Sequence, residues 1–345
     1  MVFLELIDSP SLDAIYIPLP NGLHYEWTLK ALKAGKHVLL EKPSVSNAEE
    51  AVSLFSHPML SQPNAPVILE AFHVLHHPAL QLFLSLLDRE NIATAHSETR
   101  LPRNFFPPTD IRFIYSLSGG TLLDLGTYQV LMLRQIFGTE PEECLEATPT
   151  IMPAGYDQKC DHAFKAKWRF PNGGVGDMEA DLGSRNSFRV PGFGVVPRCE
   201  VVHREQISTD KLIGAKNEHV VVKKVTLWNM MAPTIWHRID IVSEHTIRNI
   251  SSKATVKRWT EKESRKAYTW QEFAESGNAK AKGEPSWTTY RYQLEAFVDR
   301  IEGRKETGIW MDGEESVKQM EMIDGAYLKA GMDLRPTSDF LASQS

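Results

Sequence analysis

Over the first ninety residues, short apolar runs alternate with stretches of helical spacing. Asp13 to Pro18 (DAIYIP), Lys36 to Leu40 (KHVLL) and Val67 to Phe72 (VILEAF) read as short buried strands. Between the first two, residues 24–34 (HYEWTLKALKA) place Trp27, Leu29, Ala31 and Leu32 as the apolar surface of a helix, with Gly35 as its C-cap. Ser46 or Asn47 caps a second helix that runs to about Phe55, and a third spans about Pro78 to Leu87. Residues 3–7 read as the end of a helix stopped by Asp8, Ser9 and Pro10. Strand, helix, strand, helix, strand with short apolar strands is the pattern of a parallel sheet covered by helices.

The texture changes after about residue 90. Residues 121–137 form a strongly apolar helix. From about 145 to 255, alternating segments such as HAFKAKWRF, HVVVKKVTLW and HRIDIV predict an antiparallel sheet, and residues 290–302 and 314–330 two closing helices. The fold class expected is therefore α/β. A parallel domain over 1–90, which lacks the earlier strands of a dinucleotide-binding (Rossmann) domain, precedes an α+β domain over 91–345 with a largely antiparallel sheet, the order expected where a separate domain binds substrate. The stretch 183–216, with scattered Gly, Pro and Ser, is the most irregular.

Composition narrows the function classes. The 345 residues are 42% hydrophobic and 24% charged, the balance of a globular protein with room for two cores. A net charge of −6 without long like-charged blocks gives no support to a nucleic-acid or membrane-surface role. Cys144, Cys160 and Cys199 stand far apart, which suggests neither a zinc site nor a disulfide framework. No signal peptide or long apolar span is present, so a cytoplasmic protein is expected. His73, His76 and His77 crowd one short segment, but no spaced acid or cysteine accompanies them, and no metal is expected there.

Two clusters carry candidate chemistry. Glu41-Lys42-Pro43 closes a predicted strand, and ligands of open α/β sheets bind at the carboxyl ends of strands. In Gly119-Gly120-Thr121-Leu122-Leu123-Asp124-Leu125-Gly126-Thr127-Tyr128, Asp124 and Tyr128 lie four apart and share a helix face. A carboxylate in so apolar a helix needs a partner. Gly126 costs helix stability, which a close ligand or cofactor approach would explain.

The stretch DAIYIPLPNGLHYEWTLKALKAGKHVLLEKP resembles, nearly position by position, a segment of the Gfo/Idh/MocA oxidoreductases. The nearest branch holds dimeric dihydrodiol dehydrogenases and NADP-dependent D-xylose dehydrogenases. Residues 119–128 resemble the family's GGxLLDxGxY motif. Glu70-Ala71-Phe72 with His77-Pro78, residues 225–241 and residues 288–304 extend the likeness along the chain. The resemblance implies that Lys42 is catalytic, with Tyr128 as general base and Asp124 orienting the sugar or Lys42. It implies that the lysine's charge lowers the Tyr128 phenol pKa. It places Pro18, Leu19, Pro20, Asn21, His24, Glu41, Lys42 and Pro43 beside the cofactor, NADP or NAD. A sugar or diol hydroxyl would be oxidised by hydride transfer, in a homodimer.

Two departures alter these expectations. Val74 and Leu75 stand where the family carries an aromatic and an arginine, which implies loss of a basic group near the site. No GxGxxG turn occurs; Gly192-Phe193-Gly194 lacks the third glycine. About two βα units are missing, at roughly 30 residues each. The missing turn predicts weak NADP binding by this exact chain and opens two further readings. One is a non-redox descendant, an isomerase, cyclase or binding protein. The other is a coding sequence that starts upstream.

Overall fold

The computed structural model describes residues 2–102, 105–184, 196–208, 216–274, 283–304 and 307–343. The Gly192-Phe193-Gly194 segment lies outside them. The first part of the chain runs α1 (Val2–Asp8), β1 (Ala14–Ile17), α2 (His24–Lys33), β2 (His37–Leu40), α3 (Ala48–Phe55), β3 (Ile68–Glu70) and α4 (Pro78–Ser85). The strands form a parallel sheet in the order β1-β2-β3, with Ile17 opposite Leu40 and Leu40 opposite Glu70. Local chemistry sets the boundaries. Asn47 caps α3 by accepting a hydrogen bond from the Glu50 amide, and His77 caps α4 in the same way from Ala79. Gly35 ends α2 at a φ of 75°, where a side chain is disfavoured.

One strand differs from its expected burial. In β1 only Ile17 is buried, Ile15 is half-buried and Tyr16 is 52% exposed. Among the described residues β1 pairs with β2 alone, so it is the edge of the sheet. Phe3, Leu4 and Leu6 of α1 beside it are also exposed. Amides of residues 14–17 are expected to exchange at least about tenfold faster than those of 130–136, as edges and thinly packed elements open first. Equal protection in an exchange experiment would contradict this.

The second part holds β4 (Ile92–Pro102), a π-helical turn (Leu122–Gly126), α5 (Thr127–Phe137), β5 (Glu143–Ile151), β6 (Asp161–Arg169), β7 (Val175–Ser184), β8 (Arg198–His203), β9 (Gln206–Ile207), β10 (Asn217–Trp228), β11 (Arg238–Asn249) and β12 (Thr255–Arg265), then α6 (Trp270–Ala274), α7 (Thr289–Ile301), α8 (Gly313–Lys329) and α9 (Asp339–Ala342). The strands make a nine-stranded sheet in the order β12-β11-β10-β8-β4-β7-β6-β5, with β9 on β10. All neighbours are antiparallel except β4 and β7. Val130, Leu131, Met132, Leu133 and Ile136 of α5 are fully buried between this sheet and α8. Each such side chain contributes about 1.5–3 kcal/mol by leaving water. Helix α8 also packs on α3, and α7 on residues 73–76, so the closing helices reach back to the first sheet. No helix among the described residues is long and apolar enough to cross a membrane.

Candidate active site

Two ends meet at a cleft. The loops after β1 and β2 bring Pro18, Leu19, Pro20, Asn21, Glu41 and Lys42 to one wall. The π-turn and the head of α5 bring Asp124, Leu125 and Tyr128 to another. The cleft has a volume of about 480 Å³, and Arg112, Phe106, Gly119, Met231 and Tyr290 are among its other lining residues. Residues 82 positions apart in sequence thereby touch: Lys42 Nζ donates to the Asp124 carbonyl oxygen at 2.7 Å and to its carboxylate Oδ1 at 3.1 Å. The ammonium also lies 5.0 Å from the centre of the Tyr128 ring.

The π-turn explains this contact. Such turns insert one residue into a helix and recur at functional sites. Here the turn covers Leu122–Gly126, where an unbroken helix is expected from sequence, and Lys42 takes the carbonyl oxygen of its third residue. Gly126 has a different cause from the one expected. A Cβ there would meet Leu122 Cδ1 at 3.0 Å and Met178 Cε of β7 at 3.1 Å, so the close approach is by the sheet.

Asp124 is held from its other side by a residue the sequence did not single out. Arg112 Nε donates to Asp124 Oδ2 at 3.0 Å and its Nη1 to Asp110 Oδ1 at 2.9 Å, while the guanidinium stacks on Phe106. Lys42, Asp124 and Arg112 therefore alternate in charge along the cleft wall, and Asp110 pairs with Arg112. Arg112 stands two residues after Asp110 in the loop that precedes the π-turn, a spacing too common to signal a site. Val74 and Leu75 are both buried, and the cleft's second cation is Arg112.

Tyr128 departs from its expected electrostatics. Burial is the largest influence, followed by the fields of Tyr290, Glu41, Asp124 and Tyr16, and together they push its phenol well above the usual value of 10. The proximity of Lys42 does not reverse this, so the hydroxyl keeps its proton at neutral pH. Its ring packs edge-on against Phe72 and His73, and His73 stacks at 4.1 Å on Tyr290.

His24 and Pro43 stand behind the cleft wall. His24 is fully buried, with Nδ1 2.8 Å from the Pro43 carbonyl oxygen and Nε2 2.7 Å from that of Leu19. Burial lowers its pKa to about 4, and a neutral ring donates to only one of the two. It ties the Pro18–Asn21 loop to the Lys42-Pro43 turn, so its place is support for the wall. Glu41 accepts from the Tyr16 hydroxyl at 2.6 Å. The histidines of 73–77 are engaged in packing: His73 bonds Thr289 at 2.8 Å and His77 caps α4. Among the described residues no three His, Cys, Asp or Glu side chains are grouped to hold a metal.

Beneath the Lys42 turn lies Glu70, 1% exposed, whose Oε1 accepts from the Ser44 amide at 2.8 Å. Burial raises its pKa to about 7, against the hydroxyls of Ser316 and Ser44 and the charge of Arg134. The folded protein thus holds this proton more tightly than the unfolded chain does. That stabilisation is complete below the unfolded value and is lost as pH rises through about 7. Glu70→Gln is expected to remove this loss, roughly 3 kcal/mol over the window. Urea unfolding of both proteins from pH 4.5 to 8 measures it; a constant difference would exclude a titrating Glu70.

Comparison with known proteins agrees with this architecture. A model of an oxidoreductase family with an NAD-binding Rossmann fold, GFO_IDH_MocA, matches residues 3–57, and the GFO/IDH/MocA C-terminal domain matches 91–204. The chain is 35% identical over 158 residues to D-xylose 1-dehydrogenase (NADP(+)) 2 of Haloferax volcanii, which is 45% of this chain and 46% of that protein. It is 28% identical over 184 residues to trans-1,2-dihydrobenzene-1,2-diol dehydrogenase of Mus musculus, 52% of each. The chain spans about half the length of the curated relatives it matches. The crystal structure of an aldose–aldose oxidoreductase from Caulobacter crescentus complexed with glycerol superposes with a TM-score of 0.64 at 18% identity, over 96% of this chain and 80% of that one.

Proposed function

Since the chain belongs to the Gfo/Idh/MocA oxidoreductase family, we propose that this cleft transfers hydride between a nicotinamide nucleotide and a hydroxyl-bearing carbon of a small sugar or diol. The observation that carries the reading is the Lys42–Asp124 pair beside Tyr128, at the carboxyl ends of parallel strands where ligands of such sheets bind. The donor set suits the nicotinamide–ribose end of the cofactor. Pro18, Leu19 and Pro20 offer an apolar wall, and Asn21 and Lys42 offer hydrogen-bond donors. NADP is the nucleotide we favour, on the likeness to the NADP-dependent xylose enzyme.

A bound nicotinamide supplies the hydride donor or acceptor. The protein handles the proton. Tyr128 is protonated at neutral pH and delivers its proton to the carbonyl oxygen in the reductive direction. In oxidation the phenol first gives up its own proton to solvent, and the resulting phenolate, favoured by the Lys42 charge, then takes the hydroxyl proton. Asp124 fixes Lys42, and Arg112 fixes Asp124. We also propose a homodimer through the open face of the large sheet. Arg198, Glu98, Arg100, Glu179 and Lys165 alternate there in sign across neighbouring strands, a surface suited to a second copy.

The test is direct. The protein is mixed with NADP+ or NAD+ and a panel of aldoses and trans-diols, and reduced nicotinamide is followed by absorbance. At least one substrate should give turnover that Lys42→Ala abolishes. Sugar binding without hydride transfer to either nucleotide would favour the non-redox reading.

A further inference from the structure

Directly behind the π-turn is an ion pair sealed from solvent. Arg335 Nη2 meets Asp161 Oδ1 at 2.7 Å, and both side chains are 0% exposed. Apart from Arg335 Nη1, which donates to the Asp333 carbonyl oxygen at 3.3 Å, the pair's other polar contacts tie it to the cleft's scaffold and to Tyr327 of α8. Asp161 Oδ2 accepts from the Leu122 amide, the first of the π-turn, at 2.8 Å, and its carbonyl oxygen accepts from Thr121 Oγ1 at 3.2 Å. Arg335 Nε donates to the Gly119 carbonyl oxygen at 2.5 Å. The Tyr327 hydroxyl donates to Asp161 Oδ1 at 3.1 Å and receives Arg335 Nη2 at 2.9 Å. The backbone oxygen of Arg335 accepts from Asn47 Nδ2 at 2.9 Å, and Asn47 caps the helix that follows the Lys42-Pro43 turn.

These bonds close a ring. From Arg335 one path runs through Asp161 to the Leu122 amide, along the π-turn to the Asp124 carbonyl oxygen and on to Lys42 Nζ. The other runs from the Arg335 carbonyl oxygen through Asn47 and back along the chain to Lys42. The two walls of the cleft come from segments far apart in sequence, and residue 335 is bonded to both. We infer that Arg335, acting through Asp161, is the positioning residue that sets Lys42 against Asp124 and Tyr128. Neither side chain of the pair lines the cleft; both act on it through the backbone of Gly119 and Leu122, so their influence is on geometry alone. A guanidinium is required, because an ammonium on a shorter stem cannot span Gly119 and Asp161 at once. A buried charge is tolerable here because each partner's hydrogen-bonding groups are engaged. The inference rests on the reading of Lys42 and Tyr128 given above, and its test has a readout that needs no turnover.

The variants are Arg335→Lys, Tyr327→Phe and, as control, Arg134→Lys. Arg134 is an equally buried ion-paired arginine on α5, bonded to Glu140 and Glu315 away from the cleft. In Arg335→Lys, the amides of Leu122 and Asp124 should exchange at least about tenfold faster while those of 130–136 keep their rates. On an established substrate, kcat should fall at least about tenfold with KM within about threefold, as expected when reacting groups are misaligned. Tyr327→Phe removes one donor from Asp161 and should show the same pattern more weakly; it decides the matter if Arg335→Lys does not fold. Arg134→Lys should lower the melting temperature without either change. If Arg335→Lys or the folded Tyr327→Phe merely matches Arg134→Lys, with local exchange and kcat untouched, the inference is overturned. If exchange changes as expected but Lys42→Ala keeps its turnover, the brace stands and the catalytic reading falls.

Discussion

Replacing Lys42 with Ala, or Tyr128 with Phe, is expected to lower kcat/KM on a productive substrate by about 10²–10⁴-fold, the usual contribution of a positioned acid–base group. The two losses differ in kind. Tyr128→Phe removes the proton donor and leaves the ring's edge-on packing against Phe72 and His73 intact, so melting should be nearly unchanged. Lys42→Ala strips Asp124 of one of its two cations, while Arg112 remains at 3.0 Å to hold the carboxylate. The double variant should be little worse than either single one, because groups that act as a unit lose their effect together. Steady-state kinetics on the three proteins, with circular dichroism to establish folding, checks this. Wild-type kcat/KM in either single variant would remove that residue from the mechanism.

The largest loss of stability is expected at Gly120. Its φ of 136° is one that residues with a side chain rarely adopt. A Cβ there would strike Arg335 Nη2 and stand 2.5 Å from Asp161 Oδ1 and 2.8 Å from the Tyr327 hydroxyl. Gly120→Ala therefore adds backbone strain to the disruption of a buried ion pair, whose breakage alone costs about 3–5 kcal/mol. Gly325→Ala offers the contrast. This glycine lies within α8, and nothing comes within 4 Å of the added atom. Alanine there should stabilise by about 1 kcal/mol through helix propensity. Urea denaturation of both variants measures the two effects, and equal midpoints would refute the steric argument.

Much of this was legible in the sequence for definite reasons. Helix caps are local, so Gly35 and the Ser46-Asn47 pair announced their helices directly, and the structure picks Asn47 of the two. Strand alternation identified β6, β10 and β11 because one face of each meets the core. Lys42, Asp124 and Tyr128 were found by motif, and the fold brings them together. What was missed depends on distant partners. Arg112 gains its meaning from Asp124, and Asp161 and Arg335 from each other, across separations no local pattern encodes. The direction of the Tyr128 shift was misjudged because burial outweighs one nearby charge, and burial belongs to the assembled fold.

The π-turn bears on how this helix tolerates change. An α-helix advances about 100° per residue, and one extra residue shifts the phase of everything before it against everything after. Asp124 lies in the phase fixed by Asp161 at the turn's first amide, whereas Tyr128 lies in the phase fixed by the burial of α5. The joint works as a rotary coupling between two rigid shafts. Deleting a single residue between 122 and 126 would leave a regular, better-bonded helix, yet turn Asp124 away from Lys42 or Tyr128 out of the cleft. Helical regularity and the aim of the side chains are in opposition here, and the chain has kept the aim.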